Sequence, residues 1–149
     1  MAPLGGGVNG SVSALAVSGG QVYVGGAFTD AGGNVNADYI ARWDGAQWRP
    51  LGGGVNGSVS ALAVSGSNVY VGGKFTNAGG VPNTSRIARW DGAQWRPLGG
   101  GVNSTVYALA VSGSNVYVGG KFTNAGGNHR ADRIAAHPLP RIYLPLVVR

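Results

Sequence analysis

The sequence predicts an all-β fold of three four-stranded antiparallel sheets. Three observations carry that prediction: an internal repeat, short apolar runs with strand character, and Asp-Gly turns between them. The string Leu-Gly-Gly-Gly-Val-Asn begins at Leu4, Leu51 and Leu98, a period of 47 residues. The repeats occupy 4–50, 51–97 and 98–136 of a repeat region spanning 1–136. The first two units differ at nine of 47 positions, and the third matches the second at 30 of the 38 positions from Leu98 to Ala135. Such likeness points to recent duplication, so a motif met three times counts once as evidence.

The first unit sets the element order. Val12 to Val17 reads Val-Ser-Ala-Leu-Ala-Val, with apolar residues at both parities, as expected of a strand covered on both faces. The turn Ser18-Gly19-Gly20-Gln21 leads into Val22 to Phe28, a second strand that contains Gly25-Gly26. A polar, Gly-rich loop follows, then a third strand from Tyr39 to Trp43. Asp44-Gly45 supplies the positive backbone dihedrals of a tight hairpin, and Ala46 to Pro50 returns as the fourth strand. Four strands of about five or six residues with short connections fill such a unit, the size of a propeller blade. No stretch has helical periodicity. The small residues of the first strand suit the crowded axis of a propeller-like array. The indoles of Trp43 and Trp48 suit wider space farther out.

The repeat strings Gly25-Gly26-Ala27-Phe28-Thr29-Asp30-Ala31-Gly32-Gly33 and Ile40-Ala41-Arg42-Trp43-Asp44-Gly45-Ala46-Gln47-Trp48 resemble bacterial β-propeller repeats. The propeller repeats they resemble are those related to the kelch and galactose oxidase type and to the cortical polarity marker propellers. The resemblance covers residues 4 to about 136. It implies a propeller fold and little about activity. Enzymatic relatives build metal or cofactor sites from Tyr, His and Cys, and this sequence has no matching positions for those roles.

Closed propellers have about four to eight blades, so three blades make an array that is incomplete as a single-chain ring. Each open end is expected to present an apolar face and to associate with another chain. Two copies completing a six-bladed ring, three completing a larger one, or a non-closing fibre all satisfy that expectation, as does a longer protein of which this chain is a piece. At residues 137–149 the pattern breaks into a Pro-containing extended tail. Its residues Ile142, Tyr143, Leu144, Leu146, Val147 and Val148 form an apolar segment whose prolines exclude a helix. A docking strand for the same blade or a neighbouring subunit is the expectation there, against a linker whose partner is absent.

Composition excludes several function classes. The chain has 149 residues, 29 of them Gly and none Cys or Glu, with 44% hydrophobic and 11% charged residues. It is too apolar for a disordered tail, its Gly spacing is not that of collagen, and without Cys there is no disulfide scaffold or thiolate chemistry. The net charge of +6 comes from nine Arg and two Lys against five Asp, dispersed along the chain, so nucleic acid is not an expected partner. No apolar stretch reaches the roughly 18 residues that would span a bilayer, and the N-terminus lacks the regions of a signal peptide. Either the chain is cytosolic or an export signal has been removed; an extracellular or cell-surface location is the expectation.

Candidate chemistry is sparse, and neither a cofactor nor an enzymatic activity is expected. Asp44 and Asp91 occupy Asp-Gly turns, and Asp30 is replaced by Asn77 and Asn124 in the other repeats. Asp38 and Asp132 lie in variable surroundings, and His129 and His137 read as exposed polar residues without a ligand set. Gly-Gly-Gly-Val-Asn lacks the Lys-Ser/Thr of a phosphate loop and opens no helix. Arg42, Trp43 and Trp48, repeated as Arg89, Trp90 and Trp95, pair guanidinium with indole and are candidates for stacking on a sugar, a base or a neighbouring blade. Asn9, Asn56, Asn83 and Asn103 each begin a glycosylation-type sequon, whose alternative reading is copied turn chemistry. The expected function is therefore structural: a self-assembling subunit of an extracellular filament, tube or surface assembly. A glycan- or protein-binding module of a larger secreted protein is the alternative.

Overall fold

The computed structural model describes residues 1–34, 36–128 and 133–140. It is all-β, with three antiparallel sheets that follow the repeat. The first sheet runs β1 (Val12–Ser18), β2 (Gln21–Gly26), β3 (Ile40–Trp43) and β4 (Trp48–Arg49) in sequence order. The second repeats it as β5 (Val59–Ser65), β6 (Asn68–Gly73), β7 (Ile87–Trp90) and β8 (Trp95–Pro97). The third comprises β9 (Val106–Ser112), β10 (Asn115–Gly120) and β11 (Ile134–Pro138), with β10 in the middle. Its expected fourth strand is missing among the described residues. By the 47-residue period the counterpart of Trp95 is Ile142, which lies with the rest of the tail segment outside the described residues.

The strand ends differ from the sequence expectation for local reasons. The second strand stops at Gly26, short of Phe28, and the third begins at Ile40, because Tyr39 takes a left-handed φ of 63°. Its N–H donates to the Phe28 carbonyl at 2.8 Å and its own carbonyl accepts from Gly26 N–H at 3.0 Å, which ends the ladder. Arg86 and Arg133 hold the same conformation in the other repeats. The fourth strand shrinks to Trp48–Arg49 because the Asp44 carboxylate takes the N–H groups of Ala46 and Gln47 at 2.9 and 2.8 Å, leaving those residues in the turn.

The first strands lie innermost: β1 packs on β5 and β5 on β9. Each of them carries a bulge near its start, between Val12 and Ala14, between Val59 and Ala61, and opposite Gly119 and Gly120. Two residues three apart on a regular strand point to opposite faces. The bulge absorbs that odd step, so Val59 and Leu62 both reach Gly25 of the preceding sheet, and Val106 and Leu109 both reach Gly72. One face of the inner strand thus carries Val, Leu and Val, and the other carries the small residues Ala, Ala and Ser.

The cores are interfaces between sheets. Ile40 of the first sheet packs with Leu51, Val55, Val59, Val71 and Phe75 of the second, joined by Tyr23 and Leu62. Tyr70 and Ile87 of the second pack in the same way with Leu98, Val102, Val106 and Phe122 of the third. A further cluster around Val24, Phe28 and Trp48 belongs to the first sheet alone. It is half of such an interface, without a preceding sheet.

Candidate functional site

The period-47 architecture leaves two apolar faces uncovered, and exposed apolar side chains lie on both. On the first sheet Leu4, Val12, Leu15 and Val17 are exposed, Leu15 to 64% and Val17 to 71%. Their counterparts Leu51 and Val59 are fully buried in the interface with the first sheet, where Leu62 and Val64 also pack. On the third sheet Tyr117 and Ile134 are exposed, Ile134 to 68%, whereas Tyr70 and Ile87 at the same positions of the second sheet are buried. Between them lies Gly119. A methyl group on Gly25 or Gly72 would run into Val59 or Val106, but on Gly119 it would meet nothing among the described residues closer than 3.8 Å.

The Arg and Trp positions are structural elements of each sheet. Trp43 and Trp48 face each other across β3 and β4 with ring centroids 5.3 Å apart at 64°, and Trp90 and Trp95 repeat the contact at 5.3 Å and 60°. Trp48 Nε1 donates to the Leu4 carbonyl at 3.1 Å, and Trp95 Nε1 to the Leu51 carbonyl at 2.8 Å, tying the outer strand to the start of its own repeat. Trp48, Trp90 and Trp95 are buried, while Trp43 is half-buried. Arg42 Nη1 donates to Gln21 Oε1 and Arg89 Nη1 to Asn68 Oδ1, both at 2.7 Å, so each guanidinium is bonded across its own sheet.

The sequon amides form three copies of one latch. Asn9 Oδ1 accepts the N–H groups of Thr29 and Asp30 at 2.8 and 3.0 Å, and its Nδ2 donates to Thr29 Oγ1 at 3.0 Å. Asn56 and Asn103 bind Thr76-Asn77 and Thr123-Asn124 in the same pattern. The amide thereby fastens the Gly-Gly-Gly-Val-Asn turn to the loop after the second strand. Asn83 is different: exposed, with a left-handed φ of 62°.

The described acidic groups with hydrogen bonds serve turns. Asp30 Oδ1 accepts Gly33 N–H at 2.6 Å, a role filled by the amide oxygens of Asn77 and Asn124 at 2.7 and 2.8 Å, so the charge is dispensable there. Asp44 is held to a pKa of about 2 by the Arg49 guanidinium at 2.9 Å and then by the N–H groups of Gln47 and Ala46. Asp91 is held to about 2 by the N–H groups of Gln94 and Ala93 and then by Arg96 at 3.0 Å. No group of three or more His, Cys, Asp or Glu gathers as metal ligands among the described residues, and none of their helices is long and apolar enough to cross a membrane.

The third sheet departs from the other two at its outer wall. His137 stands at the position of Trp43 and Trp90, half-buried rather than exposed, and burial followed by the charge of Arg89 lowers its pKa. Next to it a cavity of about 230 Å³ opens between Leu98, Gly99, Val102 and Gly126. In the second sheet Trp95 fills this place against Gly79, whereas among the described residues the nearest atom to a methyl on Gly126 is the Gly100 nitrogen at 3.6 Å. His129 lies outside the described residues.

Sequence reasoning located the open ends but not the residues that form them. The bulge that gathers Val12, Leu15 and Val17 on one face leaves no mark in the alternation, and the hollow at Gly119 is visible only beside its filled copies at Gly25 and Gly72.

Fold and faces define the class: an open all-β repeat protein of three antiparallel sheets with two uncovered apolar sides. The chain matches no protein-family model and no curated protein sequence. Among solved structures it is similar to the computationally designed Ika4 protein, with a TM-score of 0.49 and 18% identity over 94% of this chain and 99% of that one. It is also similar to the computationally designed Ika8 protein, with a TM-score of 0.43 and 20% identity over 78% of this chain; the match spans 45% of Ika8.

Proposed function

We propose that this chain is a non-enzymatic structural protein, a β-propeller repeat subunit that associates with copies of itself into an extracellular filament, tube or surface assembly. The observation that carries the reading is the pair of uncovered faces, whose side chains are the ones buried wherever two repeats meet inside the chain. Contiguous apolar surface of this kind favours association. The likeness of the repeats to kelch and galactose oxidase type and cortical polarity marker propellers supports a scaffold built by adding blades. The turn roles of Asp30, Asp44 and Asp91 favour structure over catalysis. Within this reading Ile142, Tyr143, Leu144, Leu146, Val147 and Val148 contribute a docking strand, and removal of residues 141–149 weakens assembly while the β content of the repeats stays. Light scattering and electron microscopy across a concentration series test the whole: growth of particle mass with concentration is expected, and a persistent monomer at high concentration refutes it.

A further inference from the structure

We infer that the two open faces are each other's partners. The first-sheet face of one copy, Leu4, Val12, Leu15 and Val17, docks head to tail on the third-sheet face of a second copy, around Tyr117, Gly119 and Ile134. This rests on the self-assembly reading and specifies its contact.

The argument begins with residue identity across the repeat. Leu4, Val8, Val12, Leu15 and Val17 are the same residues, at the same positions, as Leu51, Val55, Val59, Leu62 and Val64, and as Leu98, Val102, Val106, Leu109 and Val111. The opposite wall is copied too: Tyr117, Gly119 and Ile134 match Tyr23, Gly25 and Ile40, and Tyr70, Gly72 and Ile87. The chain therefore contains two worked examples of this contact. In both, a Val of the inner strand sits in the hollow over a Gly, and the Leu three residues later closes it, its Cδ1 at 3.6 Å from a methyl built on Gly25 and 3.4 Å from one on Gly72. The outer faces carry the knob and the hollow of a third such contact, separated onto the two ends of the molecule.

Shape selects the pairing. First-sheet face against first-sheet face would oppose branched side chains with no hollow to receive them, and third-sheet face against third-sheet face would oppose two hollows. Only the head-to-tail combination reproduces the packing of the internal interfaces. Such a contact is heterologous, so each added copy presents a fresh face until a ring closes or a filament grows. The residues at the centre of both faces are uncharged, so the contact depends on apolar complementarity rather than on ion pairs.

The experiment uses the full chain, whose lack of cysteine makes engineered thiols unambiguous. The purified variants Val12→Cys and Gly119→Cys are mixed in equal amounts under mild oxidation and resolved on a non-reducing gel, one of them carrying a mass tag. In the internal counterpart Val59 Cβ lies 3.0 Å from a methyl built on Gly25, so a pair at these positions reaches disulfide spacing once the two backbones part by about half an ångström to an ångström. The expected product is the mixed dimer; a predominance of Val12→Cys homodimers or of Gly119→Cys homodimers overturns the head-to-tail contact. In parallel, Leu15→Arg and Gly119→Arg are each expected to abolish assembly in sedimentation velocity, with Leu15→Ser and Gly119→Val as milder forms should circular dichroism show loss of fold. Retention of wild-type assembly by either face's folded variant overturns the inference while leaving self-association itself intact. A wild-type chain that stays monomeric removes both readings.

Discussion

A methyl group added at three equivalent glycines should have three different consequences, and the differences follow from what covers each site. At Gly25 the new Cβ meets Cγ1 of Val59 and lies 3.0 Å from its Cβ; at Gly72 it meets Cγ1 of Val106 and lies 3.1 Å from its Cβ. A β-branched side chain has one strongly preferred χ1 and cannot swing away freely, so the sheets must part or strain. Overpacking of this kind costs about 1–3 kcal/mol. At Gly119 no atom of the described residues lies closer than 3.8 Å, and among them the overpacking cost is absent. Replacing Gly by Ala also restricts the unfolded chain, but that contribution is common to the three sites and cancels in the comparison. Gly25→Ala and Gly72→Ala are therefore expected to be less stable than Gly119→Ala by about 1–3 kcal/mol. For a chain of this size that corresponds to roughly 2–12 °C in Tm, at about 2–4 °C per kcal/mol. The measurement is thermal and urea unfolding of all three variants, at a dilution where sedimentation shows monomer, so that contact between copies does not enter. If Gly119→Ala loses as much stability as Gly72→Ala, the assignment of Gly119 to an open face is wrong. If Gly25→Ala and Gly72→Ala lose nothing, the interlocking of the sheets is wrong.

Other consequences concern the interior of each sheet. Trp95→Ala removes a buried indole and its bond to the Leu51 carbonyl and is expected to cost about 3–5 kcal/mol in urea unfolding. Asn56→Ala cuts three latch bonds and is expected to lower stability by about 1–2 kcal/mol, while Asn56→Asp, which keeps the two bonds accepted by Oδ1, costs less; equal losses would contradict the latch. Tyr70 has a buried hydroxyl with no hydrogen-bond partner among the described residues, because Asn68 is shorter than the Gln21 that reaches Tyr23 at 3.5 Å; Tyr70→Phe is expected to stabilise by about 1 kcal/mol. The carboxylates of Asp44 and Asp91, held to about 2, contribute stability that is complete above the ordinary carboxylate value and is lost as pH falls toward 2. In a carbon-13 titration Arg49→Gln should raise the Asp44 midpoint yet leave it below the ordinary value, since the bonds from Gln47 and Ala46 persist.

The sequence disclosed more of the architecture than of the surface. Period, strand count and the innermost place of the Val-Ser-Ala-Leu-Ala-Val strand follow from repetition and residue size, which are local and visible. The strand ends were misjudged where a single backbone angle decides them, as at Tyr39, or where a carboxylate claims the N–H groups, as at Asp44. The indoles read as packing ahead of a stacking platform, and the depth of Trp48 and Trp95 and the carbonyls they meet are properties of the folded sheet that no sequence pattern carries. The sequons read as modification sites or as turn chemistry, and the reach of Asn9 to Thr29, twenty residues away, is a property of the folded loop pair. The uncovered faces were inferable from the number of repeats, but their complementarity depends on a bulge and a hollow that have no sequence signature of their own.

Where the repeats have diverged bears on whether the open faces are tolerated or used. In the first unit none of the nine differences from the second falls on Leu4, Val8, Val12, Leu15 or Val17. In the third, the eight differences between 98 and 135 miss Tyr117, Gly119 and Ile134 and collect at 104, 105, 107 and 128–132. The chain has thus accepted change in its loops, in strands at Gln21 and Tyr107, and, at His137, in its outer wall, while the apolar residues named on the two faces are unchanged. Recent copying alone accounts for the retained identities, so the weight rests on shape: a hollow at Gly119 on one face and the knob of Val12 and Leu15 on the other favour faces that are covered in use.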